Sequence, residues 1–227
     1  YKLVIVMPEN MAREKIALIR QFGAEVLLTP AAEGMAGAIR KVEILKSRSN
    51  NLIEFKQFEN QANVEAHQLT TSVEIMEDTG GNVDAVVCGV GTSGTITGIA
   101  SALKSCIPDL FVMAVEPAES PVLSGGQKGS HKIGGIGAGF VPPLYRPELV
   151  NEVCKVSSND ALEMTKTVAK AEGLPVGISA AAAICAALNL AKREEMAGKN
   201  IVVVLPDSIE RYLSDSFFNQ DIKETQD

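Results

Sequence analysis

Short apolar runs recur along this chain, and after nearly every one the apolar residues return at every third or fourth position. Such a run reads as a strand buried on both faces, and the spacing behind it as a helix with one apolar side. Residues 2–7 form the first run, closed by Pro8. Ala12, Ile16, Ile19 and Phe22 then keep helical spacing, with Asn10 placed as a cap and Gly23 as a stop. A strand at 25–29, a helix over about 35–48 and a strand around 52–55 follow. Next come a helix over 63–78 with Leu69, Val73 and Met76 on one side, a strand over 84–90, a helix over 95–105 and a strand over 110–115. A Gly- and Pro-rich loop fills 118–147. The rest predicts a strand at 153–156, a helix over 160–171 capped by Ser158 or Asn159, an Ala-rich helix over 180–197 and a buried strand at 201–205. This alternation implies an α/β fold: a three-layer, open, twisted and mostly parallel sheet. A boundary near Asn60 divides 1–60 from 61–227, and the polar tail 222–227 is expected to fray.

Charge narrows what such a chain can hold. Acidic residues outnumber basic ones, 28 to 21, for a net charge of −7. That argues against the basic stripe of a nucleic-acid surface and against polybasic membrane contact. Hydrophobic residues make up 46% and charged residues 22%, enough apolar material for a real core, which excludes disorder. No apolar run approaches the roughly 18 residues of a membrane span, so neither a span nor a secretory leader is expected. The chain opens Tyr-Lys-Leu-Val-Ile-Val, inside a strand and without Met, so an upstream segment is expected. Cys88, Cys106, Cys154 and Cys185 lie scattered among apolar neighbours and read as reduced core thiols of a cytoplasmic protein. Neither His67 nor His131 joins a Cys or carboxylate cluster, so no metal site is expected. Neither is assigned to chemistry.

The stretch Gly89-Val90-Gly91-Thr92-Ser93-Gly94-Thr95 ends a strand and opens a helix. Glycines let backbone N–H groups turn toward an anion, and a helix N-terminus favours negative charge. A phosphate site and a tight, ligand-free turn both fit. The same residues make a G-x-G-x-x-G, with Glu116 after the next strand, so a dinucleotide site and an NAD-dependent dehydrogenase are also to be weighed. Three hydroxyls, on Thr92, Ser93 and Thr95, crowd the turn. Extra donors suit a terminal phosphate monoester better than a pyrophosphate bridge, which exposes fewer oxygens at one turn. No Ser is framed as G-x-S-x-G, so a hydrolase nucleophile elbow is absent.

Gly91-Thr92-Ser93-Gly94-Thr95-Ile96-Thr97-Gly98 resembles the phosphate loop of the cysteine synthase (O-acetylserine sulfhydrylase) family. These are fold-type-II pyridoxal-phosphate enzymes, similar in fold to the tryptophan synthase β chain. Met7-Pro8-Glu9-Asn10-Met11, Thr29-Pro30-Ala31-Ala32-Glu33-Gly34-Met35 and Gln57-Phe58 fit the family in order. So do Ser120-Pro121-Val122-Leu123-Ser124-Gly125-Gly126 and His131-Lys132-Ile133. Gly135-Ile136-Gly137-Ala138-Gly139-Phe140 points to cysteine synthase over its dehydratase relatives. Gly177-Ile178-Ser179 and Glu210-Arg211-Tyr212-Leu213-Ser214 complete a series that covers nearly the whole chain.

The resemblance implies roles residue by residue. Gly91, Thr92, Ser93, Gly94 and Thr95 would hold the phosphate of pyridoxal 5'-phosphate, with Ser93 standing where the family usually has Gly. Ser179 would face the pyridine nitrogen; read without the family, it caps the Ala-rich helix. A hydroxyl there does not force the nitrogen to be protonated, which makes a weaker electron sink suited to β-elimination and addition. Ala180-Ala181 replaces the usual Ser-Gly behind it. Gln57 would bind the substrate carboxylate, and Gly135 would approach the substrate in a loop that shifts as the site closes. Residues 1–60 would be the remainder of a small mobile domain, and 61–227 the large cofactor-binding one.

The family's catalysis needs a Schiff-base lysine, in a segment resembling Ser-Val-Lys-Asp-Arg that aligns ahead of Tyr1. No lysine here stands in that context, so no catalytic residue is assigned within the chain. The implied activity is cysteine synthase: replacement of the acetoxy group of O-acetyl-L-serine by sulfide. A cystathionine β-synthase-like enzyme, or a non-catalytic truncated remnant that binds phosphate or the serine acetyltransferase tail, stands as the alternative. The implied partners are a second copy in a homodimer and the C-terminal tail of serine acetyltransferase.

Overall fold

The computed structural model describes residues 1–213 and 216–219. The expected fraying at 222–227 lies outside them. The chain divides into two compact units, one of 1–54 with the stretch from Ile209, the other of 55–208. The sequence boundary near Asn60 kept everything after it in one domain; Ile209–Tyr212, a 3-10 turn, instead packs on the first helix.

In the first unit β1 (Val4–Pro8) runs parallel to β2 (Glu25–Thr29), with Val4 opposite Glu25 and Pro8 opposite Thr29. The crossover is α1 (Arg13–Gln21), and α2 (Gly34–Ser47) packs on both strands. Asn10 does not cap α1; Ala12 holds that position and makes no side-chain bond. The strand expected at 52–55 does not form. Ile53 and Phe55 are 87% and 74% exposed, and no described strand runs beside them. An apolar run becomes a strand only where another backbone accepts its hydrogen bonds.

The second unit begins with two helices, α3 (Gln61–Leu69) and α4 (Thr71–Thr79), where the apolar period predicts one. The break is Thr70, at φ −122° and ψ −73°, whose hydroxyl donates back to the Ala66 carbonyl at 2.8 Å. Asn60 caps α3 by accepting from Ala62 N–H at 3.0 Å. Then follow β3 (Ala85–Gly89), α5 (Gly94–Cys106), β4 (Phe111–Pro117) and the long loop. Beyond it lie β5 (Glu152–Val156), α6 (Ser158–Glu172), α7 (Ile178–Ala191) and β6 (Ile201–Val203). The cap of α6 is Ser157, not Ser158 or Asn159; its Oγ accepts from Asp160 N–H at 3.1 Å. The Ala-rich helix ends at Ala191, short of 197.

The four strands pair parallel in the order β5-β4-β3-β6. Val86, Cys88, Val90, Val112 and Ala114 pack against Ile96, Ile99 and Leu103 of α5. Their spacing of two puts them on one face of the sheet. The alternate face meets α7, whose alanines at 180–183 are fully buried and bring that helix close. Helices on both faces of a parallel sheet make three layers. Each buried Ile or Leu of α5 contributes about 1.5–3 kcal/mol of burial, so this layer fixes the start of α5. Cys88 is buried among these side chains, which pushes its thiol up to about 12. Cys106 departs from the expected core placement: it is exposed at the end of α5. No described helix is long and apolar enough to cross a membrane.

At the far end of the sheet Arg193 donates twice to the Glu152 carboxylate, each bond 2.7 Å. Those hydrogen bonds hold the Glu152 carboxyl below its usual 4.5. A depressed carboxylate stabilises the fold above its ordinary value and loses that contribution as pH falls through the lowered one. About a third of each side chain is exposed, so Arg193→Met should cost no more than about 1 kcal/mol. Urea midpoints should separate from wild type at neutral pH and converge in acid; an equal gap at both would contradict this.

Candidate active site

β3 delivers the chain to the sheet's carboxyl end, where open α/β sheets place their ligands. Four residues, 90–93, turn it into α5. The turn is tight because two other segments lie on it. A Cβ at Gly91 would stand 2.4 Å from the Gly135 carbonyl oxygen, and one at Gly89 would stand 2.8 Å from Ile136 Cγ2. The loop 135–140 therefore rests on the end of β3, pinned by Gly137 N–H donating to the Val90 carbonyl at 3.0 Å. Gly135 itself holds φ +102°, which only glycine takes without strain. Phe140 meets Phe58 edge to face at 5.0 Å between ring centres, joining this loop to Gln57's segment.

Donors converge at the turn. The first N–H groups of a helix have no partner within it. Among the described residues nothing accepts from the backbone N–H groups of Gly91, Thr92 or Ser93. Thr92 Oγ1 accepts from Asn63 Nδ2 at 2.9 Å and from Gly94 N–H at 3.3 Å, which leaves its own O–H to donate outward. Thr95 Oγ1 lies 3.1 Å from His67 Nε2, and His67 Nδ1 lies 2.9 Å from Thr71 Oγ1. Burial lowers the His67 pKa below its ordinary 6.5.

Ser93 behaves differently from its neighbours. It takes φ +73°, a left-handed conformation costing about 1–2 kcal/mol in a residue with a Cβ. Its side chain is buried, and Oγ lies 3.2 Å from Thr97 Oγ1, which donates to the Leu144 carbonyl at 2.9 Å. Ser93 thus presents its backbone, and not its hydroxyl, to the turn's open side.

Ser179 is not the cap of α7. Gly177 holds that position, and its N–H donates to the Asp207 carbonyl at 2.9 Å. A Cβ at Gly177 would meet Asp207 Oδ1 at 2.0 Å, so only glycine lets the segment after β6 set where α7 starts. Ser179 lies in the first turn of α7, buried, with Oγ 3.7 Å from where a Gly135 Cβ would stand. Gln57 is exposed and follows Lys56, which holds φ +48°. The second unit thus gathers 91–95, 135–140 and Ser179 at one sheet end, with Gln57 tied in through Asn63 and Phe58.

Glu116 has another role than holding a ribose. Its carboxylate is buried and accepts from Leu123 N–H at 2.7 Å, Ser124 N–H at 3.1 Å and Ser124 Oγ at 2.5 Å. Its lone pairs hold the loop 120–126. His131 Nε2 lies 3.0 Å from the Gly137 carbonyl and so supports the glycine loop. Asn63 and His67 are site-building residues that sequence reasoning passed over. Both sit in α3 among polar neighbours, with no spacing that marks them. Gly94 and Gly98 were the available clue: a Cβ at either would strike Asn63 Oδ1 or the Val64 carbonyl, so α3 lies directly on α5.

The model of the pyridoxal-phosphate dependent enzyme family matches residues 1–207. A cysteine synthase of Staphylococcus aureus is 46% identical over 222 residues, 97% of this chain and 71% of that protein. The solved cysteine synthase (OASS) of Entamoeba histolytica superposes with a TM-score of 0.90 at 43% identity, over 96% of this chain and 65% of its own. An O-acetylserine dependent cystathionine beta-synthase of Helicobacter pylori gives 0.91 at 37% identity, over 96% and 70%. The chain spans about two thirds of the length of these relatives. With a parallel sheet of the same shape and this identity over nearly all its length, the chain belongs to the family of pyridoxal-phosphate dependent enzymes.

Proposed function

We propose that the protein carrying this chain is a cysteine synthase, which replaces the acetoxy group of O-acetyl-L-serine with sulfide to give L-cysteine. One observation carries this: the unpartnered donors of 91–93 and the free O–H of Thr92 face the same sheet end as Ser179 and the 135–140 loop. Pyridoxal 5'-phosphate fits these residues. Its phosphate needs several donors and no opposing carboxylate, and Glu116, which lines one small cavity with Gly91, is already spent on 123–124. When bound, the cofactor supplies an electron sink for the substrate's Cα.

The chain's own residues bind and orient. Gly91, Thr92 and Ser93 grip phosphate through backbone N–H groups and the Thr92 hydroxyl, while Gly94 N–H turns back to hold Thr92 Oγ1. Thr95 adds a second hydroxyl, oriented by His67. Ser179 offers the ring nitrogen a hydrogen bond without a charge. Gln57 gives the substrate carboxylate amide donors that bring no competing charge. The 135–140 loop excludes water as it closes. The same reading makes the protein a cytoplasmic homodimer whose site accepts the C-terminal tail of serine acetyltransferase. The likeness to the Helicobacter pylori O-acetylserine dependent cystathionine beta-synthase supports one competing reading, in which the acceptor is a larger thiol such as homocysteine.

The test is to incubate the full-length protein with pyridoxal phosphate, reduce it with borohydride and weigh it, then assay O-acetylserine with sulfide or homocysteine. One pyridoxyl-phosphate group per chain and preferred use of sulfide are expected. Preference for homocysteine would establish the second reading. Cofactor uptake without a covalent adduct would mean binding without this catalysis.

A further inference from the structure

Among the described residues only two outside glycine hold positive φ: Lys56 at 48° and Ser93 at 73°. Each belongs to a segment that grips a ligand in the function proposed above. Lys56 precedes Gln57, and Ser93 sits in the phosphate turn. One side chain joins them. Asn63 Nδ2 donates to the Gln57 carbonyl and to Thr92 Oγ1, each at 2.9 Å. An amide nitrogen carries two protons, and here each has its own acceptor. The amide's other end lies against Gly94, with Oδ1 2.0 Å from where a Cβ there would stand, so the contact needs glycine.

We infer that Asn63 is a positioning residue that couples the phosphate turn to the substrate-carboxylate segment. It touches neither ligand. It acts through the Thr92 hydroxyl on one side and the backbone at Gln57 on the other. Left-handed backbone at a residue with a Cβ persists only while its surroundings hold it, so one lost amide frees both turns together. The inference rests on the cysteine synthase reading. Asn60 supplies the control: it accepts from Ala62 N–H and donates to the Phe55 carbonyl, both at 3.0 Å, and does not bond Thr92.

The experiment compares full-length Asn63→Ala, Asn60→Ala, Thr92→Val and the Asn63→Ala/Thr92→Val double variant. It reads pyridoxal-phosphate affinity of the apoprotein, the phosphorus NMR shift of the bound cofactor, and KM and kcat for O-acetylserine. Asn63→Ala should weaken cofactor binding about tenfold, move the phosphorus shift and raise KM more than it lowers kcat. Asn60→Ala should leave these within about twofold despite a similar fall in Tm. The double variant should bind cofactor within about twofold of Thr92→Val alone, because the two changes share one path. Three results would each overturn the coupling: a change in Tm alone, a change in only one of the two affinities, or full additivity with Thr92→Val. A wild type that takes up no pyridoxal phosphate overturns the proposed function and this inference together. Uptake that Asn63→Ala leaves unchanged overturns the inference alone.

Discussion

Gly91→Ala should weaken pyridoxal-phosphate binding by at least about tenfold and destabilise the fold by about 1–3 kcal/mol. The added methyl would sit 2.4 Å from the Gly135 carbonyl oxygen, and both partners are backbone. No rotamer can relieve that overlap, so either the phosphate turn or the glycine loop has to move. Gly137 N–H ties the loop to Val90, one residue from the substitution, which resists movement on that side. The turn would then yield and the N–H groups of 91–93 lose their common aim. Tenfold in affinity is about 1.4 kcal/mol, less than one well-aligned donor to a charged group supplies. Titration of the apoprotein with the cofactor, beside urea unfolding, reads both effects. Wild-type affinity in the variant would show that the turn does not bear on the phosphate.

Glu116→Gln should destabilise the second unit by about 1–3 kcal/mol. The carboxylate is 1% exposed and takes three hydrogen bonds from Leu123 and Ser124. Glutamine keeps the shape and loses one acceptor. Its amide nitrogen would face a donor, leaving a buried N–H with no partner. Glu116, Gly91 and Gly137 line one cavity of about 10 Å³, room for a single water at most, so a shifted loop would be felt at the phosphate turn. Urea unfolding of the full-length protein measures the loss, and cofactor affinity should fall with it. A change below about 1 kcal/mol would mean that loop 120–126 holds itself without the carboxylate.

Both variants test contacts that no run of residues announces. The resemblance led to 91–95 as a phosphate turn, but that Gly91 must be glycine follows from where Gly135 lies, 44 positions later in the chain. Glu116 followed the next strand at a spacing that imitates a ribose ligand; the fold turns its lone pairs inward onto 123–124. Ser93 counted as a third hydroxyl, yet the left-handed backbone at the head of α5 sends that hydroxyl to Thr97. His67, which the sequence assigns to no chemistry, is half-buried, and its ring supports Thr95.

Local pattern carried most elements of the second unit. β3 and β4 are near-continuous apolar runs with buried faces on both sides, and α5 keeps its apolar period without interruption. Where pattern misled, the cause was a competing contact. The run at 52–55 finds no strand to pair with, and the helix over 63–78 breaks at Thr70, whose hydroxyl bonds its own backbone.

The sequence by itself determined the α/β class, the parallel alternation, the strand-turn-helix at Gly89–Thr95 and, through motifs spread over nearly all its length, the family. Those are properties of residues near one another in the chain, set by hydrophobic period and backbone preference. Only the tertiary structure decided which donors stay open, that Asn63 spans two strained turns, that Ser179 lies in the first turn of α7 behind a Gly177 cap, and that Glu116 serves a loop. Each of those depends on distances between segments far apart in sequence, which close packing fixes and composition does not record.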